Sequence, residues 1–78
     1  MGYSVAPMRK TLSAARKDRS LSVEQLAERS GVGRATLYRL ESGETPDPAW
    51  STVCALEDAL GLKRGTLVFG QEAEALAS

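Results

Sequence analysis

Two short helical patterns separated by only three residues constrain this chain more than any other feature of its sequence. The first pattern begins at Ser22, where Gln25 stands three residues later as a capping-box partner, and it ends at Gly31. The second pattern covers residues 34–42, so residues 31–33 form the whole connection. The sequence therefore predicts two helices that cross closely at a glycine-containing turn.

The helical period divides the second pattern into two faces. At about 100° per residue, Thr36, Leu37 and Leu40 share the side that is expected to face the core. The opposite side carries basic and small residues together with one tyrosine: Arg34, Ala35, Tyr38 and Arg39. Two helices joined in this way, with such an outer face on the second, are typical of a helix-turn-helix.

The remaining segments are also predicted to be helical, because apolar residues recur at helical spacing and no strand pattern is present. Helices are expected over residues 7–18, 49–60 and 64–69, and the apolar stripe of the second of these contains Trp50, Val53, Leu56 and Leu60. Pro7 suits the first position of its helix.

The predicted fold class is all-α, a compact five-helix domain with a central helix-turn-helix. This domain is expected over residues 7–70, after an N-terminal arm at residues 1–6. The C-terminal tail, residues 71–78, is expected to fray or to extend the last helix. At 78 residues the chain has room for one domain.

The numbers of cysteines and histidines argue against a disulfide, a zinc site and a histidine-dependent active site. Cys54 is the single cysteine and there is no histidine, which excludes an internal disulfide, structural zinc and imidazole catalysis. We expect no metal, no cofactor and no enzymatic activity. No signal-peptide pattern or membrane-length apolar run is visible, so the expected location is the cytoplasm, in association with the nucleoid when DNA is bound.

The charges are divided unequally along the chain, although the formal net charge is zero. Residues 1–39 contain eight Lys and Arg against three Asp and Glu, a net charge of +5. Residues 40–78 contain two against seven, a net charge of −5. Such a chain can present a basic face to an anionic partner, although solvated charges that segregate by chance give the same pattern.

Residues 21–43, LSVEQLAERSGVGRATLYRLESG, resemble the helix-turn-helix of the phage lambda repressor and Cro family, also called the Xre family. Residues 48–62, PAWSTVCALEDALGL, resemble the fourth helix of that family, and the likeness extends over about residues 8–69. The resemblance implies a sequence-specific DNA-binding regulator of transcription, with repression as the expected mode. The alternative is an antitoxin, or another protein-interaction module of the same fold, that neutralises a partner protein.

The resemblance also implies which residues contact double-stranded DNA. The helix at about residues 33–42 would enter the major groove, and the implied base-reading residues are Gly33, Arg34, Ala35 and Arg39. The implied backbone contacts are Ser22, Val23, Thr36, Tyr38 and Thr45, with Glu44 beside the last. Phosphate contact without sequence information is the alternative role for both arginines.

Three positions depart from the family pattern. Val23 stands where glutamine is frequent, and Gly33 stands where a capping side chain is usual. Glu57 stands where alanine is favoured against the core, so its carboxyl group has to reach solvent, find a partner or stay protonated. The resemblance to the family also implies a structural ion pair between Arg16 and Glu41.

A homodimer on an inverted-repeat operator is expected, because one reading helix covers too few base pairs to find a site in a genome. The segment Leu67, Val68 and Phe69 is the expected interface, since a short helix cannot bury three adjacent apolar residues. The alternative is that Leu67 and Phe69 cap the core of the monomer. A further protein partner stays open, and no membrane partner is expected.

Overall fold

The computed structural model describes residues 9–77. Five helices and one pair of two-residue strands follow each other in the order β1 Lys10–Thr11, α1 Leu12–Asp18, α2 Val23–Ser30, α3 Arg34–Ser42, α4 Trp50–Leu60, β2 Leu67–Val68 and α5 Gln71–Ala77. The all-α fold class is confirmed.

Leucines from every part of the domain up to β2 form one core. Leu26, Leu37 and Leu56 are completely buried, and Leu60 is nearly so. The rest of this core consists of Leu12, Ala15, Leu21, Val23, Leu40 and Leu67. Burial of leucine side chains is the main favourable contribution to folding, at about 1.5–3 kcal/mol for each fully buried leucine.

The boundaries of α2, α3 and α4 agree with the sequence prediction to within one residue. Each helix ends at a glycine in the left-handed region, where a residue with Cβ is strained. The three glycines are Gly31, Gly43 and Gly61. The start of α2 has the full capping box between Ser22 and Gln25 that the sequence predicted.

The first helix begins later than predicted. Its N-cap is Thr11, whose hydroxyl accepts a hydrogen bond from the Ala14 amide at 3.2 Å. Residues 10–11 are extended and pair in parallel with β2, in the register Lys10 to Leu67. Pro7 and Met8, which the prediction placed in this helix, lie outside the described residues, as do residues 1–6 of the predicted arm.

The helix predicted over residues 64–69 is wrong. Gly65 has φ +88°, which ends any helical path, and the chain continues as the strand β2. The Glu57 carboxylate explains this local structure, since its Oε2 accepts hydrogen bonds from the Gly65 amide at 3.0 Å and the Leu67 amide at 3.2 Å. Glu57 is completely buried and cannot reach solvent, so these two backbone amides are its hydrogen-bond partners. Arg64 also forms an ion pair with it, with Nη1 3.7 Å from Oε1.

The strand β2 also removes the reason for expecting a dimer interface at this segment. Leu67 and Val68 are each only 6% exposed, because alternate faces of a two-residue strand both meet neighbouring elements of the same chain. Phe69 is half-buried against the core. The prediction of an interface formed by all three residues is therefore corrected: Leu67 and Val68 pack within the monomer, and Phe69 alone stays partly exposed.

Two further expectations at the periphery need correction. Trp50 is 65% exposed, because it occupies the first turn of α4 and does not reach the core that Val53 and Leu56 join. The C-terminal tail forms a separate helix, α5, after a turn at Gly70. Its Glu72 pairs with Arg9 beside β1.

Candidate nucleic-acid interface

The outer face of α3 is solvent-exposed along its length. Leu37 and Leu40 are buried beneath it, which fixes the rotation of the helix about its axis. Four side chains consequently point away from the core and are exposed: Arg34, Ala35, Tyr38 and Arg39. Gly33, at the N-cap, is exposed as well, and Thr36 lies half-buried at the edge of this face.

The turn between α2 and α3 is stabilised by hydrogen bonds at the end of α2. The Gly31 amide donates to the Ala27 carbonyl at 2.9 Å, and the Val32 amide donates to the Ser30 hydroxyl oxygen at 3.1 Å. Val32 packs against the core, so the turn is anchored by an apolar side chain. Gly33 has no side chain to cap the first amides of α3. These amides remain at the exposed start of the helix, where the helix dipole attracts anions.

The start of α2 provides a second cluster of backbone donors. The Ser22 hydroxyl accepts from the Gln25 amide at 3.1 Å, which leaves its own O–H proton available to donate to a phosphate. Val23 was expected at the DNA backbone, but its side chain is only 7% exposed and belongs to the core. Any contribution of Val23 to a phosphate site therefore has to come from its amide.

The loop after α3 carries the remaining backbone candidates. The Thr45 amide donates to the Arg39 carbonyl at 3.2 Å, so the loop is closed back onto the end of α3. Thr45 is half-buried and Glu44 is exposed. This loop lies at the C-terminal end of α3, whereas Ser22 caps the N-terminus of α2.

An ion pair links α3 to α1. Arg16 donates from Nε to Glu41 Oε2 at 2.7 Å and from Nη2 to Glu41 Oε1 at 3.0 Å, and both side chains are 14% exposed. A third bond from Arg16 Nη1 reaches the Leu21 carbonyl at 2.9 Å. The hydrogen bond that Arg16 donates to the Glu41 carboxylate raises the pKa of its guanidinium above the usual value. This pair fixes the orientation of α3 on the domain.

Glu24 is a residue of this surface that the sequence interpretation did not single out. Its Oε2 accepts a hydrogen bond from the Tyr38 hydroxyl at 3.3 Å and lies 3.8 Å from Arg34 Nη1. No sequence signal identifies it, because the three-residue connection joins the last turn of α2 to α3, whereas Glu24 lies in the first turn of α2. The helical pattern alone gives no distance between Glu24 and α3.

The described residues hold no group of three or more histidine, cysteine or acidic side chains that could bind a metal ion. Within the same residues, no helix is long and apolar enough to cross a membrane. Besides the Glu24 carboxylate, this surface exposes guanidinium, hydroxyl and backbone amide groups, which are the groups that contact DNA bases and phosphates.

Comparison with protein families matches residues 8–68 to a family described as a helix-turn-helix domain. The matched region extends from before β1 into β2 and contains both helices of the motif. Comparison with curated proteins gives no significant match. The family match agrees with the geometry and indicates a DNA-binding domain.

Proposed function

Because the chain belongs to this helix-turn-helix domain family, we propose that it is a sequence-specific regulator of transcription that acts as a repressor on double-stranded DNA. The observation that carries this proposal is the exposed outer face of α3, with two arginines above a buried leucine pair. The resemblance of residues 21–43 to the Xre branch supports the same mode of binding. Repression is the mode of regulation that this resemblance implies.

Base reading is assigned to the N-terminal half of α3 and to Arg39. Arg34 presents a planar guanidinium that can donate two hydrogen bonds to the O6 and N7 atoms of a guanine in the major groove. Ala35 can contact a thymine methyl group, and Gly33 lets the backbone approach the bases closely. Arg39 lies on the same exposed face and forms no ion pair among the described residues, so it is available to a base or a phosphate.

Phosphate binding is assigned to groups that flank this face. Ser22 and the first amides of α2, including that of Val23, form one anion site at a helix N-terminus. Thr36 and Thr45 provide hydroxyl donors, since the Thr45 amide is already bonded to the Arg39 carbonyl. The Tyr38 hydroxyl has its single proton directed to Glu24, so its expected contact with DNA is packing of the ring on a sugar.

The working unit that we propose is a homodimer on an inverted repeat, with the two copies of α3 about 34 Å apart. Since Leu67 and Val68 are buried, the contact between copies has to involve another surface. Trp50 is the largest exposed apolar side chain of the described residues, and Pro46, Pro48 and the half-buried Phe69 line the same depression. We assign the contact with the second copy to this tryptophan surface.

Selection of bound sequences from random duplex DNA tests the function. The expected result is an enriched site that contains guanines and has two related half-sites. Failure to enrich any sequence over repeated rounds, with protein that is folded, would overturn the proposal. The same selection with Arg34→Ala is the control, and it should lose part of the enriched pattern.

A further inference from the structure

Glu24 places a negative charge beside Arg34 and Tyr38, two of the three large side chains on the outer face of α3. One oxygen of its carboxylate lies 3.3 Å from the Tyr38 hydroxyl and 3.8 Å from Arg34 Nη1. Arg34 and Tyr38 are one helical turn apart, so a single carboxylate from α2 bridges both. Glu24 is 53% exposed and Arg34 is 64% exposed, and the bridge is therefore not part of the core that holds the fold together.

We propose that Glu24 is a positioning residue that sets base specificity through Arg34, an inference that rests on the proposed DNA-binding function. A long exposed arginine samples many rotamers, and the double hydrogen bond to guanine requires one orientation of the guanidinium plane. The carboxylate restrains one end of that group before DNA arrives. Preorganisation of this kind reduces the entropy that is lost on binding.

The charge of Glu24 also separates the two possible roles of Arg34. A phosphate is an anion, so the neighbouring carboxylate repels it and neutralises part of the attraction that Arg34 exerts. Guanine is uncharged and presents two acceptors, so its contact with Arg34 is weakened less. Glu24 therefore favours base contact over phosphate contact at this arginine, which is specificity by exclusion of the wrong partner.

Tyr38 takes part as the second anchor of the carboxylate. Its hydroxyl donates to Glu24, which keeps the carboxylate on the α3 side of α2. Glu28 lies one turn further along the same helix, is also exposed, and forms no ion pair in the described part of the chain. It therefore offers a matched control that removes the same charge from the same helix.

The test measures base preference one position at a time. Affinities are determined for the selected duplex and for duplexes with single base-pair changes, which all carry the same number of phosphates. Arg34→Ala first identifies the base pair that Arg34 reads. Glu24→Gln should then reduce the preference at that base pair by about two- to fivefold, the range for an exposed charged pair, and leave the other positions unchanged.

Glu28→Gln should change the preference at no position, although it alters the overall affinity through the same loss of charge. The inference is overturned if Glu24→Gln leaves the preference at the Arg34 base pair intact, or if it relaxes all positions equally. It is also overturned if Arg34→Ala affects no particular base pair while the parent protein binds specifically. A parent protein without any base preference would overturn the proposed function itself, and the inference with it. Circular dichroism of each variant establishes that it is folded.

Discussion

Arg34 is the residue on which the base-reading assignment depends most directly. Its side chain is 64% exposed and forms no part of the buried core, so its removal leaves the core unchanged. We predict that Arg34→Ala weakens binding to the selected site by about 1–3 kcal/mol, the contribution of a double hydrogen bond to guanine. Fluorescence anisotropy with labelled duplex measures this loss. Lys17→Ala, an exposed cation on α1, is the control and should have a clearly smaller effect; equal losses would show that Arg34 contributes only charge.

Glu57 illustrates how one buried side chain determines local backbone structure. Glu57→Ala removes the acceptor for the Gly65 and Leu67 amides and leaves a void, so we predict a loss of about 2–4 kcal/mol in the free energy of unfolding. Glu57→Gln keeps one acceptor oxygen of nearly the same shape and should lose clearly less. Urea denaturation of both variants checks the difference. Equal losses would mean that the negative charge beside Arg64, and not the two amides, is what stabilises this segment.

The two helices of the helix-turn-helix, α2 and α3, are determined by signals that are local in sequence. The capping box at Ser22 and the left-handed glycines at Gly31 and Gly43 define where α2 and α3 begin and end, and each can be recognised in the sequence alone. The ion pair of Arg16 with Glu41 follows from the family resemblance and is present at 2.7 Å. Local sequence signals were therefore sufficient to predict α2, α3 and the exposed outer face of α3.

Elements that depend on long-range contacts could not be predicted in the same way. The start of α1 is displaced because residues 10–11 pair with β2, a partner more than fifty residues away. The segment at Gly65 is not helical, because its amide donates to the buried carboxylate of Glu57. The spacing of apolar residues in the sequence does not reveal such a hydrogen bond. Val23 was assigned to a phosphate through the free amides at the start of α2, and its buried side chain agrees with the loss of the side-chain contact that the family's glutamine would make.

The two glycines of the turn should respond oppositely to the same substitution. Gly33 has φ −63° and ψ 147° and no atom within 4 Å of an added Cβ, so Gly33→Ser supplies the missing cap of α3. We predict that this change stabilises the protein by about 0.5 kcal/mol. Gly31 has φ +77°, and Gly31→Ser should cost about 1 kcal/mol because a Cβ is strained there. Thermal unfolding of both variants measures the contrast; destabilisation by Gly33→Ser would show that the turn has no room for a cap.

The whole molecule is predicted to form a dimer on DNA through the exposed tryptophan surface. Sedimentation of the protein with the selected duplex should give two chains per duplex. Trp50→Ser should shift the complexes toward one chain per duplex at the same concentration, because it removes the largest apolar side chain from the proposed contact. Leu76→Ser changes a large exposed apolar residue on α5, outside the proposed contact, and should leave the stoichiometry unchanged. One chain per duplex for the parent protein would contradict the dimer.

Specific binding to DNA can be separated from non-specific attraction by a salt-dependent titration. The parent protein is titrated with the selected duplex and with a scrambled duplex of the same length and composition, at several salt concentrations. The basic half of the chain, with net charge +5, predicts that both affinities fall with salt, with a log–log slope of about −0.9 for each phosphate that is neutralised. At physiological salt the selected duplex should bind about a thousandfold more tightly than the scrambled one, the lower end of the range for specific regulators. Equal affinities for the two duplexes, or affinities that do not change with salt, would contradict the account.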